Sequence, residues 1–256
     1  RHGIALRLRR SGTAWVQTIK CAGQGGGGFS ARPEWETPYR GGFDFSGIDD
    51  PGIRAFLDKR SIRERLLPAF ETNFRRTTFG FEGLWLMFDR GWIATSGRRA
   101  PLSEIELELA GGTVADLFAL AGRLAARLPL SPAPESKAER GYRLFLDRPL
   151  APVRAGPAAL AAETYGRLTP IAAFRSIAVN CLEHLQRNHQ GAATSDDPEF
   201  IHQMRVATRR LRAAIRLFAP VLPKDFSEVL APPLRQLMQI LGAARDLDVL
   251  LHEVKA

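Results

Sequence analysis

Cysteine is nearly absent from this sequence: there are two in 256 residues, Cys21 and Cys181, far apart and in unrelated contexts. That excludes a disulfide framework or a cysteine-built metal site, and it predicts free thiols in a reducing, cytoplasmic compartment. No apolar run approaches the roughly 18 residues that a spanning helix needs, so no membrane partner is expected. No secretory leader is visible either. The glycine-rich run Gly23–Gly28 lacks the Gly-Lys-Ser/Thr that opens a helix in a P-loop. That excludes nucleotide cradling of that kind and leaves a hairpin tip. Acid is the minority charge, with 27 Asp+Glu against 36 Lys+Arg and a net charge of +9. The excess is shared by both halves of the chain, so it predicts local basic stripes facing an anionic partner rather than a basic tail.

What is present is 45% hydrophobic and 25% charged, as in folded globular chains, at a length that favours two domains. The most informative stretch is Pro101–Gly112, PLSEIELELAGG. From Ser103 to Leu109 it alternates, with Glu104, Glu106 and Glu108 in one register and Ile105, Leu107 and Leu109 in the other. In a strand those three carboxylates share a face. Such a row either faces water or holds a divalent cation through oxygen ligands. Ala5–Arg10 carries the opposite chemistry: Arg7 and Arg9 share one face, ready to fork phosphate oxygens, with Leu6 and Leu8 on the other. The two rows together suggest an enclosed site for a metal-bound polyphosphate.

Residues 1–40 read as strand, turn at Ser11-Gly12, then strand, with Val16, Thr18 and Lys20 on one face. Extended structure resumes over Phe29–Thr37, where Glu34 and Glu36 are in register. Asp49–Arg65 has the spacing of a surface helical insertion. Phe70–Phe79, Glu82–Asp89 and Trp92–Thr95 read as strands around an Arg90-Gly91 turn. Asp89 would then either cap that turn or belong to a site. Thr113–Leu128 is an amphipathic helix opened by a Thr113/Asp116 capping box, with a stripe of Leu117, Leu120, Ala121, Leu124 and Leu128. Glu135–Leu146 is a basic segment with Lys137, Arg140 and Arg143, and the Pro/Ala-rich run 147–163 reads as a linker.

Beyond Gly166 the pattern is helical throughout. Thr169–Asn188 is one helix, Asp196-Asp197-Pro198 starts another, Pro220–Pro223 ends it, and a further helix begins near Pro232-Pro233. Within Glu199–Phe218, at ~100° per residue, His202, Arg205, Arg209, Arg212 and Arg216 fall in an arc of about 80°. Arg210 projects separately. Five arginines against one glutamate is too one-sided for a helix laced by its own ion pairs. The face is either solvated or anion-binding, and arginine forks beside a titratable histidine favour the anion. No aromatics interleave the stripe, so nucleic acid is not the expected partner.

The first part resembles a CYTH domain of the inorganic triphosphatase type. Leu6–Arg10, Thr18–Lys20, Arg32–Glu36, Phe88–Gly91, Ser103–Leu109 and Ser136–Tyr142 carry the likeness. Ile201–Phe218 and Leu241–Leu250 resemble the start of a CHAD domain. The expected fold class is therefore α+β: an antiparallel β-barrel of the triphosphate tunnel type over 1–147, a linker over 148–165, and part of an all-α helical bundle over 166–256. The resemblance implies triphosphate contacts from Arg7, Arg9, Lys20, Arg76, Lys137 and Arg140. Strand periodicity alone does not choose Arg76 over Arg75. It further implies Mg²⁺ or Mn²⁺ on Glu104 and Glu106, directly or through water, with Lys20, Asp89 and Glu34 in the catalytic set. His202, Arg205, Arg209, Arg212 and Arg216 would bind polyphosphate.

The family opens on a strand with Glu-x-Glu-x-Lys, and this sequence has none. A chain truncated at both ends, inactive alone, is the expectation. The intact parent is expected to hydrolyse inorganic triphosphate. The rival readings are a non-catalytic polyphosphate binder, or an enzyme acting on thiamine triphosphate or cyclising ATP.

Overall fold

The computed structural model describes residues 3–21, 24–26, 29–31, 33–158 and 168–255. The class is mixed α+β, with two compact units. The first comprises 1–25, 30–131 and 135–148; the second comprises 26–29, 132–134 and 149–256.

In the first unit, β1 (Ile4–Ser11), β2 (Ala14–Cys21) and β5 (Glu34–Pro38) form an antiparallel sheet in the order β1-β2-β5. Gly12, at φ +61, makes the β1–β2 turn in the left-handed region that glycine enters without a Cβ penalty. The alternation of sequence sorts the two faces. Ile4, Leu6, Ile19 and Trp35 pack into a core with Phe43, Phe45, Ile48, Ile53, Phe56 and Leu57. That core is closed by α1 (Pro51–Leu57), capped by Asp50, and α2 (Arg60–Arg63) follows it. The insertion expected on the surface is therefore the cover of this sheet. Of the expected glycine-rich tip, residues 23, 27 and 28 lie outside the described residues, while β3 (Gln24–Gly26) pairs with β4 (Phe29–Ala31).

The second large sheet is β6 (Glu71–Phe81), β7 (Leu84–Thr95) and β8 (Arg98–Leu109), also antiparallel and in that order. Its turns are Glu82-Gly83, both at positive φ as a tight hairpin turn requires, and Ser96-Gly97. No turn occurs at Arg90-Gly91: β7 runs straight through. The glycine there answers to a close approach, since a Cβ at Gly91 would stand 2.0 Å from the Asn73 carbonyl oxygen and 2.4 Å from Phe74 Cα. Pro101 sits on the edge strand β8, where a missing N–H costs no ladder bond on the outer side. Among the described residues no sheet closes on itself.

Two helices follow. α3 (Val114–Ala125) has the expected capping box between Thr113 and Asp116, but of its stripe only Leu120 is buried. α4 (Lys137–Phe145) has a second box between Ser136 and Glu139. It lies close on the β6-β7-β8 sheet because Gly141 leaves room for the Phe70 ring, which a Cβ would meet at 2.3 Å.

The second unit holds α5 (Pro170–Thr194), α6 (Glu199–Leu217) and α7 (Lys224–Lys255), with a 3-10 turn at Ala219–Val221. Phe174, Cys181, Leu211, Ala214, Ile215 and Leu222 form its core. α7 starts at Lys224, ahead of the prolines expected to open it. Pro232 and Pro233 lie inside it and deprive the carbonyls of Glu228 and Val229 of their helical donors. Leu230 and Leu234, on either side, pack on the core and carry the helix through the break. The run expected as a linker is anchored in its described part. Asn188 accepts from Val153 N at 3.0 Å and donates to Val153 O at 3.0 Å, and Arg210 donates to Gly156 O at 3.0 Å.

Candidate functional site

The β1-β2-β5 sheet turns a row of polar side chains away from its core. Arg7 stands opposite Thr18, and Thr18 opposite Glu36; Lys20 stands opposite Glu34. Glu36 accepts from Arg9 at 2.9 Å, from Thr18 Oγ1 at 2.9 Å and from Arg7 at 3.5 Å. Lys20 Nζ donates to Glu34 at 2.7 Å. Arg7, Arg9, Lys20 and Glu34 thus share one face. Burial lowers the Arg7 guanidinium below its usual range, and the positive charges of Arg9 and Arg76 push the same way against Glu34 and Glu36. Arg7 therefore lies within electrostatic reach of the second sheet's cations.

On that second sheet, register aligns Arg76 of β6, Asp89 of β7 and Glu104 of β8 across the strands, with Glu106 opposite Met87. Asp89 is fully buried. Arg76 grips it with a fork, Nε to Oδ1 and Nη2 to Oδ2, both at 2.7 Å, and also donates to Glu106 Oε2. α4 then brings Lys137 and Arg140, three residues apart on one helical face, down onto the same acids. Lys137 Nζ lies 2.8 Å from Asp89 Oδ2 and 2.6 Å from Glu106 Oε1, and it donates to Glu104 Oε1 as well. Arg140 reaches Glu104 Oε2 at 3.4 Å and the Pro101 carbonyl at 2.8 Å. The Phe74 ring lies under both Arg76 and Lys137, at 5.6 and 5.2 Å from its centroid. Its negative face favours both cations.

These contacts set the charge states. Burial alone would raise the Asp89 and Glu106 carboxyls; for Asp89 the Arg76 and Lys137 bonds, and for Glu106 those of Lys137 with the Arg76 charge, outweigh it and hold both down. Burial would lower Lys137, yet its three carboxylate partners raise it. Arg76 is raised well beyond its usual range, chiefly by the Asp89 bond. All these groups are charged at neutral pH.

Three oxygens, one each from Asp89, Glu104 and Glu106, lie within 4.8 Å of one another. They are hard donors of the type that Mg²⁺ and Mn²⁺ take, at about 2.1 Å for Mg²⁺. The Lys137 ammonium in their midst shows that the space already accepts a cation. The residues fit the metal. Glu108 continues the row but is exposed, and it takes no part in the cluster.

Several expectations resolve here. Among the described residues no ion pair joins Arg7 or Arg9 to Glu104 or Glu106. The acids pair with Arg76, Lys137 and Arg140, and the β1 arginines pair with Glu34 and Glu36. Arg76 rather than Arg75 joins the cluster, since Arg75 stands opposite Arg90 in the ladder. Asp89 is part of the cluster, not a turn cap. Sequence reasoning missed Thr18, Glu36 and Phe74 as contributors. The first two carried the same period-two signal as their neighbours Lys20 and Glu34; Phe74 carried none.

In the second unit, α6 packs Phe200, Met204, Ala207, Leu211, Ala214 and Ile215 inward. Arg209 and Arg216 are exposed, and His202, Arg205 and Arg212 half-buried. Among the described residues none of the five has a carboxylate partner. Arg210 points elsewhere, to Gly156 and Asn180.

Comparison with known proteins adds two likenesses. A family model of the CHAD domain matches residues 176–256. Over 145 residues the chain is 32% identical to a protein of Haemophilus influenzae named inorganic triphosphatase. That match covers 55% of this chain and 41% of the relative.

Proposed function

We propose that this chain, which belongs to the CYTH-CHAD proteins of the inorganic triphosphatase type, forms the phosphate- and metal-binding part of a metal-dependent triphosphatase. The observation that carries the reading is the meeting of three carboxylates and three cations at one place: Asp89, Glu104 and Glu106 against Arg76, Lys137 and Arg140. A structural ion-pair network would serve stability with one or two pairs. Drawing three carboxylates to one ammonium, with two arginines needed to balance them, costs desolvation that a site for a divalent cation and a polyanion would explain.

In this reading Arg7, Arg9, Lys20, Arg76 and Arg140 take the oxygens of inorganic triphosphate, each guanidinium forking two. Glu34 and Glu36 pair with Lys20, Arg7 and Arg9 and would release them to the substrate. Asp89 fixes Arg76 so that its fork is aimed before the substrate arrives. Lys20, steadied by Glu34, faces the terminal phosphate and stabilises charge as the water–phosphorus bond forms and the bridging bond breaks. Mg²⁺ or Mn²⁺ on Glu104 and Glu106 would neutralise charge on the bridging and terminal oxygens. The two open sheets are taken as walls of an antiparallel barrel of the tunnel type spanning residues 1–147. Residues 148–165 connect it to a helical-bundle domain beginning at 166. There His202, Arg205, Arg209, Arg212 and Arg216 bind long-chain polyphosphate. The free thiols Cys21 and Cys181 support a cytoplasmic setting.

The test is phosphate release from tripolyphosphate by the full-length protein with Mg²⁺ or Mn²⁺, beside Glu106→Gln. Loss of turnover of about 10²-fold or more supports the reading. Equal rates remove Glu106 from the chemistry. Retained polyphosphate affinity with no turnover in either protein assigns a binding function instead.

A further inference from the structure

We infer that Lys137 and the divalent cation are alternative occupants of one carboxylate cage, so that metal entry expels the ammonium and frees it for phosphate. This rests on the proposed metal site and adds to it an exchange between two cations.

The geometry is specific. Lys137 Nζ takes one oxygen from each of Asp89, Glu104 and Glu106, the three residues whose oxygens cluster. Arg76 holds both Asp89 oxygens, sharing Oδ2 with Lys137, and also the other Glu106 oxygen, while the other Glu104 oxygen faces Arg140. The oxygens that Lys137 alone holds are thus Glu104 Oε1 and Glu106 Oε1, and these are the ones its departure frees for a metal, beside an Asp89 Oδ2 still bonded to Arg76. An ammonium and a divalent ion cannot share that space, because at such separations their repulsion in a partly buried site is large. Arg76 is not the one to leave: its fork is bound into fully buried Asp89. Lys137 is. It stands at the start of α4 on a flexible four-carbon stem and holds the acids through a point-charge ammonium rather than a rigid fork.

Two consequences distinguish this from a static salt bridge. Without metal, the cage is closed and charge-neutral, three acids against three bases, so the protein resists casual cations. With metal, a cation enters the binding surface near Arg140 just when an anionic substrate can use it. Metal and triphosphate then bind with a coupling that passes through Lys137.

The experiment is Mn²⁺ binding to the full-length protein without phosphate, read from the electron paramagnetic resonance of free Mn²⁺. Wild type is compared with Lys137→Gln, Lys137→Met and Glu104→Gln. Both lysine variants should bind Mn²⁺ at least tenfold tighter than wild type. Their melting temperature should rise more on Mn²⁺ addition, a readout that also covers a lysine variant weakened in the apo state. Lys137 variants that bind Mn²⁺ no tighter, while Glu104→Gln abolishes binding, overturn the exchange and leave the metal site standing. Mn²⁺ affinity indifferent to Glu104→Gln in every background overturns both.

Discussion

The guanidinium of Arg76 and the carboxylate of Asp89 face each other across the β6–β7 ladder and join through two parallel bonds of 2.7 Å. Asp89 has no exposed surface, so its charge is tolerable only while that fork and the Lys137 bond persist. Replacing Asp89 by Asn leaves Arg76 and Lys137 short of a counter-charge in a half-buried place. We expect a loss of about 3 kcal/mol of stability, as for other broken buried pairs. Urea melts at neutral pH measure it.

The same pair predicts an acid limb. The Asp89 and Glu106 carboxyls both ionise below their ordinary values in the fold. Their contribution is therefore complete above the unfolded values, near 3.9 and 4.3, and is lost as pH falls through the lower folded ones. Lys137 is raised, so its contribution is complete below about 10.4 and fades above it. Urea midpoints should fall steeply below about pH 4, with this acid limb shallower in Asp89→Asn. An equally steep limb in that variant would remove Asp89 from the cause.

Two glycines should respond in opposite directions. Gly141→Ala drives a methyl into the Phe70 ring and lifts α4, with Lys137 and Arg140, off the acids. A cost of about 1–3 kcal/mol is expected, together with weaker phosphate binding. Gly122→Ala in α3 meets nothing within 4 Å and should stabilise by about 0.5–1 kcal/mol. Thermal melts of the two variants check both signs.

The backbone of Val153 is held by the buried amide of Asn188, beside the bonds that Arg210 and Asn180 make to Gly156 and Pro157. Asn188→Ala removes both of its bonds to the Val153 backbone. It should cost about 2 kcal/mol and expose residues 149–158 to protease. Unchanged cleavage would show that the segment is held by other contacts.

Among the described residues the α6 arginines Arg209, Arg212 and Arg216 have no acidic partner, so their removal costs little structure. A triple variant of Arg209, Arg212 and Arg216 to Gln should melt near wild type yet lose polyphosphate affinity about tenfold or more at low salt. The gap should close as salt rises. Isothermal titration at two salt concentrations decides it.

What the sequence determined by itself was the set of faces. Arg7 with Arg9, Thr18 with Lys20, Glu34 with Glu36 and Glu104 with Glu106 each follow from a period of two, and the α6 stripe follows from 3.6 residues per turn. Such periods are local, as are the capping boxes of α3 and α4, and local geometry is what a linear string encodes. Membership of the cluster is not local. Glu104, Glu106 and Glu108 are equivalent in the string, yet only the first two join it, because β7 sets Asp89 opposite Glu104 and α4 returns with Lys137 just there. Gly91 likewise looks like a turn until β6 is seen to pass within contact of it. Strand register and the approach of a helix from distant sequence decided which charges meet, and a buried charge is stable only where its partner actually arrives.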